Sequence, residues 1–221
     1  MQKTVHDFMW LASQSPRRQA LLVQIGVTPR LLLPGDDEDA EALEVVQPGE
    51  LPLAYVQRVT RAKLKAAVAR HRQRGLPPAP ILCADTTVAL GRRILGKPAD
   101  AQDVAATLAA LSGRTHRVLT SVVVASARGQ AGRVRIEQAT QVSRVRFAAL
   151  SPALIQAYIA SGEPFGKAGS YAIQGALAAH IAHIEGSHSG IMGLPLFETA
   201  RLLRRAGVRM SLECGSRELN P

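Results

Sequence analysis

The sequence predicts an α/β protein, and three observations carry that prediction. Short runs of aliphatic and β-branched residues alternate with stretches of helical period; the helical stretches begin and end on capping residues; and 47% of the 221 residues are hydrophobic, enough to bury a sizeable core. Phe8 to Ala12 reads as a first strand. Ser15 then offers an oxygen to the free N–H groups of a helix start, Pro16 fits the first helical position where no N–H is needed, and Gly26 closes the helix after Ile25. Thr28 to Leu33 reads as a second strand. From Leu51 towards Gly75 the residues Tyr55, Val59, Ala62, Ala66 and Ala69 recur at three- and four-residue steps, which predicts a long helix. Lys63 lies one turn beyond Val59 and so borders its buried stripe. Ile81 to Leu90 is an apolar strand that carries Asp85 within it. Helices are expected over Asp103 to Leu111, Pro152 to Ala160 and Pro195 to Arg205, and long strands over Arg117 to Ala127 and Arg133 to Phe147, on either side of Gly129 and Gly132. The Gly-rich stretch from Gly162 to Gly175 reads as an ordered loop.

Composition narrows the function. A formal charge of +10 draws anions, yet seven of the 17 acidic residues fall between Asp36 and Glu50. An acidic block inside a basic chain suits a metal-plus-phosphate site better than a uniform nucleic-acid face, while a solvated loop is the plainer explanation. Aromatics at 4% give little support to a base-stacking surface. The two cysteines, Cys83 and Cys214, form no zinc spacing and no disulfide framework, which favours a reducing compartment. No run is long and apolar enough for a signal peptide or a membrane span, so a cytoplasmic protein without a membrane partner is expected.

Four constellations can carry chemistry. Ser13-Gln14-Ser15-Pro16-Arg17-Arg18 places free N–H groups and two guanidinium forks at a helix start, an anion-binding arrangement that is equally a capped helix with two surface arginines. Asp85 in ILCADTTVAL is costly in an apolar strand unless paired, hydrogen-bonded or bound to metal; it could also cap the strand's end. Gly96-Lys97-Pro98 holds a cation in a stiff extended stretch, or is simply a surface lysine. Lys167 to Gly175, KAGSYAIQG, combines small residues with Gln174, whose amide can both donate to and accept from a base edge. Two look-alikes are discarded. Gly162 to Ala168 misses the phosphate-loop spacing and its hydroxyl, and His183, Glu185 and His188 do not match a zinc-protease helix, with glycine nearby arguing against helix altogether.

In this order the blocks LASQSPRR, Arg61 to Lys65, ILCADTTV, ILGKPAD, LSGRTHRVLTSV, GEPFGKAGSYAIQG and IEGSHSGIMGLPLFET resemble the Maf family of nucleoside-triphosphate pyrophosphatases over nearly the whole chain. The resemblance implies one domain over residues 1–221, with an elongated mixed sheet, flanking helices and two lobes around a deep cleft. It implies Asp85 as general base, Lys63 and Lys97 as catalytic lysines, and Glu38 and Asp85 as ligands of a divalent cation, with Mg²⁺ the expected cofactor. Ser13, Arg17, Arg18, Thr86 and Gln174 match substrate-binding positions, with Arg17 and Arg18 on the phosphates and Arg17, Thr86 and Gln174 tied to base choice. The acidic loop is longer than the family pattern, which leaves Asp37 and Asp39 as alternatives to Glu38, and Ala62 replaces a glutamate common before the lysine. The YAIQG form of the base loop resembles the subgroup acting on dTTP and UTP. Other readings are the 7-methyl-GTP subgroup and a nucleic-acid-binding or division-control protein. The expected partner is a nucleoside triphosphate, with no stable nucleic acid; a homodimer is compatible with the resemblance.

Overall fold

The structure, a computed structural model, describes residues 5–35, 38–39, 41–127 and 134–211. Asp37, Gly129, Gly132, Arg133 and Cys214 lie outside the described residues. Strands β1 (Met9–Leu11), β2 (Pro29–Leu31), β3 (Ile81–Leu90), β4 (Arg93–Leu95), β5 (Thr115–Ala125), β6 (Ile136–Phe147) and β7 (Ile181–Glu185) form one mixed sheet in the order β2-β1-β3-β5-β6-β7, with β4 also on β3. The first three strands in that order run parallel, and every other pairing is antiparallel. The helices are α1 (Pro16–Gln24), α2 (Pro52–Gln73), α3 (Ala101–Leu111), α4 (Pro152–Ala160), α5 (His188–Met192) and α6 (Leu196–Arg205). Ser15 Oγ accepts from the Arg18 N–H, as the capping chemistry predicts.

Successive strand residues point to opposite faces, and that alternation sorts the helices. Cys83 and Val123 face α2 and pack on Leu64 and Ala67. Trp10, the only tryptophan, belongs to the same layer and donates from Nε1 to Pro77 O at 3.1 Å. On the opposite face, Leu82, Ala84, Val122 and Val124 meet α1 and α6 at one end of the sheet. At the other end Val88, Val118 and Phe147 meet α3 and α4. One break in the pairing matters for everything that follows. On the edge of β3 away from β5, β1 reaches only as far as Leu11 opposite Leu82, and β4 begins only at Leu95 opposite Val88. Between these, the edge of β3 at Asp85–Thr87 has no strand partner among the described residues, so chains approaching from both faces can reach it.

Two short elements differ from expectation. Residues 181–185 pair with β6 as an edge strand, and His188 begins a one-turn helix capped by Ser187, where glycine had argued against helix. The helix accommodates Gly190 in its single turn, where the Gly190 N–H donates to Ser187 Oγ, and Gly193, at φ 122°, ends it. His183 sits on β7, exposed, and holds no metal group.

The acidic loop is tied to α2. Arg70, buried at 6% exposure, donates from Nε and Nη2 to the two oxygens of Glu38 at 2.6 and 2.5 Å and from Nη1 to Leu32 O at 2.9 Å. The fork-on-carboxylate bonds to Arg70 hold the Glu38 carboxyl at about 2, against the opposing effect of burial. Its folded pKa is depressed, so the stabilisation is complete above the ordinary glutamate range near 4.5 and is lost as pH falls towards 2. Glu38→Gln should therefore lower unfolding free energy at pH 7 by about 1–3 kcal/mol. In urea denaturation the gap between the variant and the parent should narrow below about pH 4.5; a gap that stays constant with pH would contradict this origin.

Candidate active site

At the open edge of β3, Asp85 is 8% exposed, between buried Ala84 and half-buried Thr86, a position that demands a partner. Lys63 supplies it. Its Nζ donates to Asp85 Oδ1 at 2.5 Å and to Glu44 Oε1 at 2.8 Å, while Lys97 Nζ lies 3.0 Å from Glu44 Oε2. Two carboxylates and two ammonium groups thus alternate as Asp85, Lys63, Glu44, Lys97. Burial alone would pull the Lys63 ammonium down, but Asp85 and Glu44 more than offset it and hold it above the usual lysine range. Glu44 is likewise raised by burial but carried below the ordinary range by Lys63 and Lys97.

Each member is delivered by a legible device. Lys63 comes from the border of the α2 stripe, one turn past Val59. Lys97 follows the β3–β4 hairpin. Glu44 ends a 3₁₀ turn (Ala42–Glu44) anchored by the first turns of α2: Tyr55 Oη donates to Glu44 O at 2.8 Å, and Arg58 donates to Val45 O and to both Glu50 oxygens. Burial, with Asp85 and Glu44 nearby, pushes the Tyr55 phenol up to about 12, so it remains a donor.

A second group meets the same segment from the other face. Arg18 donates from Nε to Gly193 O at 2.8 Å, from Nη1 to Ser13 Oγ at 3.1 Å and from Nη2 to Thr86 Oγ1 at 3.4 Å. Thr120 Oγ1 donates to Gly190 O at 2.7 Å, so in its 3.0 Å contact with Thr86 it accepts. The chain Arg18 to Thr86 to Thr120 to Gly190 is then fully directed. Burial draws the Arg18 guanidinium down, opposed by the charge of Asp85, which places the two groups within electrostatic reach. Arg17 is held differently: Nε donates to Met192 O at 3.3 Å, and its terminal Nη groups have no partner among the described residues. Of the adjacent arginines, Arg18 is built into the wall and Arg17 presents its fork outward.

Two predicted residues stand apart from the carboxylate–lysine cluster. Glu38 has both oxygens on Arg70, which lies two helical turns, about 10 Å along the axis, from Lys63. Glu44, which the sequence reading did not single out, occupies the acidic position beside Lys63 instead. Asp39 accepts from the N–H groups of Glu41 and Ala42. Gln174 is exposed on the Gly-rich loop, which is joined to the cluster through the Gly169 N–H donating to Gly96 O at 3.0 Å, next to Lys97. Gly169, at φ 69°, also lets the loop press on Val88, where a Cβ would overlap the valine. Among the described residues no three His, Cys, Asp or Glu side chains converge as a metal site. Among the described residues, Asp85 and Glu44 are the two carboxylates that share Lys63, and Glu41 lies 3.9 Å from Lys97.

Lysines and carboxylates clustered near a capped helix start that carries two arginines suit a protein that handles phosphates, and comparison gives the family. The model described as "Maf-like protein" matches residues 9–206, and the chain belongs to that family. It is 61% identical over 204 residues to the dTTP/UTP pyrophosphatase of Polaromonas sp. (strain JS666 / ATCC BAA-500), covering 92% of this chain and 98% of that protein. It is 59% identical over 205 residues to the dTTP/UTP pyrophosphatase of Cupriavidus pinatubonensis (strain JMP 134 / LMG 1197), covering 93% and 100%. The protein of the same description from Albidiferax ferrireducens is 58% identical over 204 residues, covering 92% and 99%.

Lys63→Met removes the shared cation and leaves Asp85 and Glu44 facing one another. Its expected cost is about 3 kcal/mol of stability, since breaking a largely buried pair strands a charge. Adding Asp85→Asn to that variant should recover part of the loss in a thermal or urea double-mutant cycle. Strict additivity would mean that the pair does not interact.

Proposed function

We propose that this protein hydrolyses dTTP and UTP to the monophosphate and pyrophosphate. The observation that carries the reading is the convergence of Asp85, Lys63 and Lys97 at the open edge of β3, in a chain about 60% identical over its length to pyrophosphatases described for those nucleotides. Neither the 7-methyl-GTP reading nor a nucleic-acid or division-control role is favoured by the relatives' descriptions.

In the proposed reaction, water attacks the phosphorus that becomes the monophosphate, the anhydride bond to the leaving pyrophosphate breaks, and negative charge gathers on that leaving group. Lys63 and Lys97 are placed to meet the charge, and Arg17 offers the free fork for a second phosphate. Asp85 uses Oδ1 for Lys63 and keeps Oδ2 for orienting, and accepting a proton from, the attacking water. Arg18, Ser13 and Thr86 shape the wall behind the phosphates. The donor set fits a hard divalent cation such as Mg²⁺, which is satisfied by one or two carboxylates together with phosphate oxygens and water. Asp85 and Glu44 would hold it, with Glu44 in place of Glu38, whose oxygens are committed to Arg70. Bound there, the cation would supply further neutralisation of the phosphate charge. Gln174 would read the imide edge of uracil or thymine with one donor and one acceptor. No helix among the described residues is long and apolar enough to cross a membrane. The proposed site of action is the free nucleotide pool of the cytoplasm.

A panel of nucleoside triphosphates incubated with Mg²⁺ should yield monophosphate and pyrophosphate, fastest from dTTP and UTP. Diphosphate plus phosphate as products would reject the reading. Asp85→Asn should lower kcat by about 100-fold or more, the scale of a lost general base, while nucleotide affinity changes little; near-normal turnover would remove Asp85 from the chemistry.

A further inference from the structure

Gln174 is exposed, yet the backbone on both sides of it is fixed by side chains that touch no phosphate group. Tyr158, 4% exposed on α4, donates from its hydroxyl to Glu163 Oε1 at 2.9 Å. The other Glu163 oxygen, Oε2, accepts the Ala176 N–H at 3.1 Å. Residues 172 and 176 bracket Gln174, and the Gly175 N–H closes the turn on Ala172 O at 3.1 Å. A Cβ at Gly175 would overlap Glu163 Oε1, so a larger residue there would displace this carboxylate. Upstream, the Tyr171 ring stands edge-on to Phe147 and His116, with its hydroxyl 2.7 Å from His116 Nε2, and Ile173 is buried in the same core. The main chain around Gln174 is therefore pinned at 171, 172, 173 and 176, and the Gln174 amide is left outside this network.

We propose that Tyr158 and Glu163 are positioning residues for base selection: through Ala176, and the turn that Gly175 closes on Ala172, they set where the Gln174 amide stands. The inference rests on Gln174 reading the base. A carboxylate suits the role because it accepts from a phenol and from an amide at once, in two directions, whereas a neutral amide at the same place offers only one acceptor oxygen. The pair acts only on the base end, so it should leave recognition of the phosphates alone.

The test compares the parent with Tyr158→Phe, Glu163→Ala, Glu163→Gln and Gln174→Ala, measuring kcat and KM for UTP and CTP and the binding of inorganic pyrophosphate, which has no base. Tyr158→Phe and Glu163→Ala should raise KM for UTP by about tenfold, the scale of one lost charge-assisted hydrogen bond, with kcat within about twofold. The UTP-over-CTP preference should fall by a similar factor, pyrophosphate binding should hold, and Glu163→Gln should fall between parent and alanine. Tyr158→Phe removes a single oxygen and keeps the ring in the core, so it reports even if Glu163→Ala fails to fold. If Gln174→Ala abolishes the preference while Tyr158→Phe leaves it intact, the positioning role is overturned and the base reading stands. If Gln174→Ala itself leaves the preference unchanged, the base reading fails and the inference falls with it. Parallel loss of pyrophosphate binding would mean general loosening, which also overturns it.

Discussion

The contact between Lys63 and Asp85 is the constraint around which the site is organised. A carboxylate in an inner strand of a sheet is costly unless a partner reaches it, and Asp85 projects to the face on which α2 packs, where Lys63 meets it. The next residue, Thr86, projects to the other face and meets Arg18 from α1. Adjacent positions of one strand thus bring cations of two helices to the same short segment, beside the stretch of β3 edge that β1 and β4 leave unpaired. Glu44 then balances the second valence of Lys63 and brings Lys97 alongside. Among the described residues Lys63 faces two carboxylates and Lys97 faces Glu44, with Glu41 at 3.9 Å, and Asp85 and Glu44 hold the Lys63 ammonium above the usual lysine range.

Around this centre the protein separates holding from handling. Arg18, Thr86 and Thr120 form a directed chain whose hydrogen bonds end on the backbone of Gly190 and Gly193, so their polar groups are consumed within the fold. Arg17, one residue away, is fixed at a single nitrogen and keeps its fork. The base loop repeats the pattern. Tyr171 and Ile173 are sunk in the core and Ala172 and Ala176 are bonded, while Gln174 alone points out. Rigid main chain with one uncommitted side chain is the arrangement that limits the entropy lost when a ligand binds.

Much of this was legible in the sequence, for reasons that differ residue by residue. Ser15 and Pro16 announce α1 because capping chemistry is local, and the α2 stripe announces the placement of Lys63 because helical periodicity is too. Asp85 stands out because an isolated carboxylate in an apolar run conflicts with its surroundings. The strand β7 and the helix α5 were not legible: one is a five-residue edge strand whose pairing depends on distant β6, the other a single turn, too short for a period to show. Glu44 was hidden in a different way. Among seven carboxylates in fifteen residues nothing local marks one of them, and what selects it is the distant grip of Tyr55 and Arg58 on the backbone beside it. Nor could the sequence distinguish the tasks of Arg17 and Arg18, since the difference lies in which carbonyls of residues 192 and 193 come within reach.

The solitary indole of Trp10 gives the molecule a built-in optical probe. It is buried on β1, in register with Ile81, one residue before the strand stops pairing and the gap over β3 begins. Since no other tryptophan contributes, the emission of the whole chain reports on that seam, with the imidazole of His71 edge-on at 5.8 Å as a neighbouring quencher. A rearrangement of the seam between β1, β3 and α2, where Trp10 packs with Ile81 and Leu64, is thereby open to a readout without labels.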